Sequence, residues 1–315
     1  MPQPNLTIII LTLNEQLHLQ RLFDSIKGIE CDVFVVDSGS TDATIKIAER
    51  FGAIIFFNKF INQSDQFRWA LDNTPIRTDW VMRLDADEFL SRDLNFEINA
   101  KLDRLPLEVS GINLKRRHIF MGRWIRFGGR YPIKLLRIWR VGAARVEARW
   151  MDEHIYVTRG STVTFESYFS DENLNDLSYF IDKHNKYAGR EAVDVLAGRY
   201  KFLVSQSAQH LSGASFQAVV KRFIKVHVYN RIPFYLSAPI YFFWRYIVLL
   251  GFLDGLSGLI YHFLQGFWYR FLVGAKVLEF DSTVADVDCP THLKAQLASL
   301  AGVDLSTFEK FFCES

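Results

Sequence analysis

From Leu6 to Leu90 the chain alternates strand-length apolar runs with helical stretches, and no other feature constrains its fold as much. Residues 6–11 are apolar enough for a buried strand. Leu19, Leu22, Phe23 and Ile26 then fall at i, i+3, i+4 and i+7, one face of an amphipathic helix. A second strand over 32–36 runs into Asp37-Ser38-Gly39-Ser40-Thr41-Asp42, turn and N-cap chemistry for a helix over 43–51. Residues 53–57, 63–71 and 80–84 continue the series as strand, helix and strand. The pattern predicts an α/β fold, a Rossmann-like parallel sheet covered by helices on both faces.

After Leu90 the rhythm changes. Strand-like pieces at 111–119, 133–139 and 161–168 are joined by basic, Gly-containing loops, and a helical pattern resumes over 174–196. Residues 215 to about 280 are aromatic-rich and helix-like, and 281–315 are more polar. We therefore expect one domain over 1–170, divided near residue 90, and a helical region over 171–315. Net charge is only +2, which argues against a general nucleic-acid binder. The basic residues are concentrated, however: 112–149 hold eleven Lys/Arg against one acid, Glu147. Cys31, Cys289 and Cys313 fit neither a disulfide framework nor a zinc spacing, which points to a reducing compartment. Residues 1–5 lack the basic flank of a secretory signal, so the apolar run behind them reads as a strand.

The strongest chemical signal is Leu84-Asp85-Ala86-Asp87-Glu88, directly after a buried strand. In open α/β sheets ligands sit at the carboxyl ends of strands. Clustered carboxylates repel one another unless a cation neutralises them, and Mg²⁺ binds through one or two carboxylates plus phosphate oxygens. The plain alternative is a solvated acidic turn. Asp37 ends the second strand, where a carboxylate can accept hydrogen bonds from a base or ribose. Thr12-Leu13-Asn14-Glu15 ends the first. Three strands thus end in ligand-capable residues on one sheet edge.

These pieces, 10–15, 35–42 and 79–88, resemble in order and spacing the family 2 inverting glycosyltransferases of the A-type fold. Gly129-Arg130-Tyr131-Pro132, residues 136–140, Asp152-Glu153-His154 and residues 183–188 are similar to bacterial enzymes that build lipopolysaccharide core or exopolysaccharide. The resemblance implies a nucleotide-sugar donor, here a UDP-sugar, with Mg²⁺ or Mn²⁺ bridging its diphosphate from Asp87. Asp37 would hold the base or ribose, with Thr12, Leu13 and Glu15 lining that pocket and Asp85 and Ala86 near the ribose. Gln66 would help line the donor site; otherwise it sits on a surface helix whose apolar side is Phe67, Ala70 and Leu71. The base that deprotonates the acceptor hydroxyl would be Glu153, with Asp152 as the alternative. Arg130, Arg137 or Arg140 would meet a phosphate, or else the basic stretch is a solvated or membrane-facing surface. The acceptor would be a saccharide or lipid-linked. A nucleotidyltransferase would want a Gly-rich loop after the first strand, where this chain has none. A non-catalytic assembly protein would not need Asp37, Asp85, Asp87 and Glu153 together.

Residues 232–244 are uncharged until Arg245 interrupts, 246–253 run to Asp254, and 255–269 contain His262. A spanning helix needs about 18 or more apolar residues, so no run qualifies. Aromatics with Arg suit the headgroup boundary, predicting helices lying in the plane of the inner face of the cytoplasmic membrane; the alternative is a helical subdomain buried on the catalytic domain.

Overall fold

A computed structural model describes residues 5–147, 154–200, 232–285, 287, 289–302, 305 and 308. Two compact units divide the chain, 1–175 and 176–315.

Unit 1 opens with β1 (Leu6–Thr12), α1 (Leu19–Ile26), β2 (Asp32–Asp37), α2 (Thr44–Phe51), β3 (Ile54–Phe57), α3 (Gln63–Asn73) and β4 (Trp80–Arg83). It continues with β5 (Glu88–Leu90), α4 (Arg92–Lys101), β6 (Val109–Phe120), β7 (Arg123–Ile125), β8 (Ile133–Arg140), β9 (Ala144–Val146), β10 (Ile155–Val157) and β11 (Ser161–Asp171). The main sheet runs β3-β2-β1-β4-β8-β6-β11-β5, with β7 on β6, and β9 and β10 form a separate pair.

Only β3, β2, β1 and β4 make the parallel sheet expected from the alternation. From β8 onward the sheet is mixed: β8 is antiparallel to both β4 and β6, β11 parallel to β6, and β5 antiparallel to β11. The change falls where the alternation in the sequence also stops. Parallel strands need long crossovers, and past α4 the strands of unit 1 are joined by turns and hairpins.

Side-chain alternation on β1 places the layers. Ile8 and Ile10 pack with Leu22 and Phe23 of α1 and Leu94 and Ile98 of α4. Ile9 packs on the other side with Phe67 and Ala70 of α3 and Trp139 of β8. α3 is therefore no surface helix, and Gln66 on it is buried.

Unit 2 contains α5 (Leu177–Tyr200), α6 (Phe234–Phe243), α7 (Gly255–His262), α8 (Tyr269–Val284) and α9 (Pro290–Ala301). Wider π-helical turns extend α6 through Trp244–Val248 and join α7 to α8 through Phe263–Trp268. The aromatic-rich region is helical, as its composition suggests.

Candidate active site

The parallel register brings the ends of β1 and β2 side by side, Thr12 opposite Asp37. Thr12 Oγ1 donates to Asp37 Oδ1 at 2.8 Å, and the amides of Gly39 and Ser40 donate to Oδ2 at 2.8 and 2.7 Å. Ser40 Oγ adds a fourth donor to Oδ1. Asp37 is fully buried, so as placed its carboxylate shapes the loop rather than opening onto it. With four hydrogen bonds on its two oxygens, Asp37 ties the ends of β1 and β2 into one edge, the place the resemblance assigns to the base or ribose. Removing a buried acceptor of this kind strands its donors at about 1–3 kcal/mol each.

The β1 loop is laced to the same turn. Asn14 takes a left-handed backbone, φ 57°, which Asn tolerates better than most residues. Its amide donates to Ser40 Oγ, and its side-chain oxygen accepts from the Thr41 amide, each at 2.8 Å. The Glu15 amide donates to Thr44 Oγ1 at 2.7 Å, and Leu13 is exposed. The Leu174 amide donates to His18 Nε2, so Nδ1 carries the ring proton and donates to Glu15 Oε2 at 2.6 Å. Gln66 Nε2 donates to Ser38 Oγ at 3.0 Å and to the Asn58 carbonyl at 3.1 Å. Gln66 therefore braces the loop after β2 from beneath.

The turn after β4 carries the carboxylates. Arg83 Nε donates to Asp85 Oδ1 at 3.0 Å, and Arg137 reaches Asp85 Oδ2 at 3.3 Å and also binds Glu88. The Asp85 amide closes the turn onto Glu88 Oε2 at 3.0 Å. Burial works to raise the Asp85 carboxyl, but the two guanidiniums outweigh it and hold it at about 2. Burial pushes Glu88 up, with Asp85 and Asp171 adding to the rise and Arg137 opposing it. Arg137 thus organises the acidic turn. Arg140 lies over the Trp80 ring and donates to the carbonyls of Val109 and Leu105, so it is a structural brace and not a phosphate contact.

Asp87 is held from another side of the turn. Its Oδ2 accepts from Asn173 Nδ2 at 3.1 Å, and its carbonyl accepts from the Glu172 amide at 3.0 Å and from Arg21. Arg21 is in turn paired with Glu172. Among the described residues no group of three or more Asp, Glu, His or Cys is placed to hold an ion alone. A hard cation here would need oxygens from a ligand, which suits Mg²⁺ or Mn²⁺ on a diphosphate. Asp87 fits that role better than Asp85, whose charge two guanidiniums already neutralise. Ala86 is buried between them.

Sequence reasoning missed Arg21, Asn173 and Glu172, which reach the turn from elsewhere in unit 1. Asp152 and Glu153 lie outside the described residues. The Glu147 amide donates to the His154 carbonyl at 2.8 Å, and Ser64 on α3 holds the Glu147 carbonyl at 2.8 Å. Arg130 contributes, with His118 and Arg116, to holding the buried Asp171 carboxyl low against its desolvation.

Unit 1 is thus an α/β domain whose polar groups converge at the carboxyl ends of parallel strands, the class that binds ligands at that edge. Residues 7–149, most of unit 1, match the model for glycosyl transferase family 2. An uncharacterized glycosyltransferase of Rickettsia bellii is 39% identical over 93 residues, 30% of this chain and 31% of that protein. One from Rickettsia conorii is 39% identical over 93 residues, covering 30% and 32%. The chain thus matches about a third of the length of these curated relatives. Glucosyl-3-phosphoglycerate synthase from Mycobacterium tuberculosis, solved with Mn²⁺, UDP and glucosyl-3-phosphoglycerate, is 19% identical. The match covers 37% of this chain and 44% of that one at a TM-score of 0.30.

Proposed function

We propose that the protein is an inverting glycosyltransferase moving a sugar from a nucleotide-diphosphate sugar, a UDP-sugar, to a saccharide or lipid-linked acceptor in cell-envelope polysaccharide synthesis. The observation that carries this reading is the turn after β4. There Asp85 is neutralised by Arg83 and Arg137 while Asp87 is steadied by Asn173. Asp87 would hold Mg²⁺ or Mn²⁺, which when bound supplies Lewis-acid stabilisation of the departing diphosphate.

The chain's own residues do the rest. Thr12, Asn14 and Asp37 hold the loops after β1 and β2 in one conformation, so the nucleotide meets a preformed edge. Arg137 keeps Asp85 ionised and pointing along the turn. Glu153, or Asp152 beside it, takes the proton of the acceptor hydroxyl as that oxygen attacks the anomeric carbon. The setting we infer is the cytoplasmic face of the bacterial inner membrane, with the helices of unit 2 at the lipid surface.

The test is turnover of a panel of sugar nucleotides with Mn²⁺, with and without EDTA. A thermal-shift titration with UDP runs beside it, because a ligand of the native state raises apparent stability. We expect UDP to stabilise only with the divalent ion. Full turnover in EDTA removes the metal role.

A further inference from the structure

From Pro233 to Phe263 the usual arrangement of a protein in water is inverted. The three ionisable residues other than tyrosine are all buried: Arg245 is 5% exposed, Asp254 2% and His262 0%. Every exposed residue in that stretch is apolar or aromatic, up to Leu256 at 72%. In globular proteins Arg and Asp are almost never fully buried unless paired, and exposed apolar patches are small. Here Asp254 Oδ2 lies 3.8 Å from His262 Nε2, and the Arg245 guanidinium sits between the rings of Tyr241 and Tyr261.

The exposed side chains come in adjacent pairs: Tyr235 and Leu236, Phe243 and Trp244, Ile247 and Val248, Phe252 and Leu253. Neighbours on a helix point about 100° apart, so the exposed arc is wider than the stripe one helical partner would cover. Glycines let the segments approach closely. A Cβ on Gly251 would lie 2.7 Å from the His262 ring, and one on Gly274 would lie 2.2 Å from the Phe234 ring. Small residues at helix contacts are what lipid-embedded helices use.

No single described helix is long and apolar enough to cross a membrane, but the arms Phe234–Val248 and Gly251–Val284 pass that test together, bent by 72°. At 1.5 Å per residue the first arm measures roughly 22 Å, short of a hydrocarbon core of about 30 Å. Leu250, at φ 60°, breaks the helix between the arms.

We propose that this segment is a re-entrant hairpin: it enters the bilayer, turns at the elbow 249–254, and leaves on the side it entered. Its polar cluster is packed inside and its apolar side chains face acyl chains. The inference rests on the membrane association proposed above and adds depth and topology to it.

The test uses the full-length protein with Cys31, Cys289 and Cys313 replaced by Ser and single labelled cysteines at Phe252→Cys, Leu236→Cys and Gln296→Cys. Vesicles of phosphatidylethanolamine and phosphatidylglycerol carry bromine near the headgroups or deep in the chains. We expect deep bromines to quench position 252 severalfold more than shallow ones, the reverse at 236, and aqueous iodide alone to quench 296. A quencher sealed inside the vesicles should reach none of them. A label at Leu256→Cys repeats the elbow measurement if Phe252→Cys folds poorly. Shallow quenching at both 236 and 252 overturns re-entry while leaving docking intact, and inside access to 252 overturns it in favour of a span. A protein that ignores the vesicles and forms a stable dimer or binds a protein partner through this face sinks the membrane reading itself.

Discussion

Charge is used in opposite ways in the two units. In unit 1 apolar side chains fill both sides of β1, and the carboxylates gather at the strand ends, held by backbone amides and guanidiniums. Between Pro233 and Phe263 of unit 2 the charges are inside and the apolar side chains outside. The same residue type therefore does different work. Asp87, at the edge of unit 1, is the carboxylate we propose for a ligand, whereas Asp254 is enclosed among its neighbours. Deleting the first should cost activity, and altering the hairpin's interior should cost stability.

The largest effect that would sharpen this contrast is catalytic. Glu153→Gln should lower turnover by about 10²–10⁴-fold while leaving donor affinity and thermal stability unchanged, as for an interaction made only in the transition state. Asp152→Asn should be milder, and the reverse ranking moves the base to Asp152. Asp87→Ala should lose turnover with the fold intact, read by circular dichroism beside activity.

Next come paired truncations. Phe67 is fully buried and Phe243 is exposed. Phe67→Ala should cost about 3–5 kcal/mol in denaturant unfolding, by lost burial and the cavity left behind. Phe243→Ala in detergent should stay within about 0.5 kcal/mol. Equal costs would erase the distinction. A smaller pair concerns glycine. Gly258→Ala forces a Cβ into Asp254 and should cost about 1–3 kcal/mol, whereas at Gly28 a Cβ meets only Asn95 Nδ2 at 3.7 Å and should be nearly neutral.

Much of unit 1 was legible because its information is local. The i, i+3, i+4, i+7 apolar set of α1 and the runs that became β1, β2 and β4 carry their period in adjacent residues. The second half of the sheet was not legible in that way. β5 is only Glu88–Leu90, and it pairs with β11, far along the chain. The candidate site divides likewise. Asp85 and Asp87 announce themselves by spacing, but the groups that make them different are Arg137 and Asn173, distant in sequence. Asp37 was found as a candidate, yet its burial depends on Thr12 and the Gly39–Ser40 amides, which only folding brings together. In the hairpin the charges at Arg245, Asp254 and His262 looked like interruptions. Their burial shows how the run accommodates them.

The smallest effect separates the two ways of keeping a buried acid. Glu97 on α4 accepts from the amides of Glu166 and Ser167 at 3.1 and 2.9 Å and from Lys101 at 2.7 Å. Those amides lie where the register of β11 against β6 shifts, so the carboxylate serves donors the ladder leaves out. Burial raises the Glu97 carboxyl, but Lys101 and the two amides outweigh it and lower it from 4.5 to about 2. A folded-state value below the unfolded one means the unfolded chain binds the proton first, so this stabilisation is present above pH 4.5 and lost as pH falls through about 2. Glu97→Gln keeps one acceptor oxygen and should cost about 1 kcal/mol at pH 7. The gap between variant and parent should narrow below pH 4.5 and close near pH 2 in unfolding followed by intrinsic fluorescence. A gap that stays constant down to pH 2 would mean that Glu97 holds the β11 irregularity by shape and not by charge.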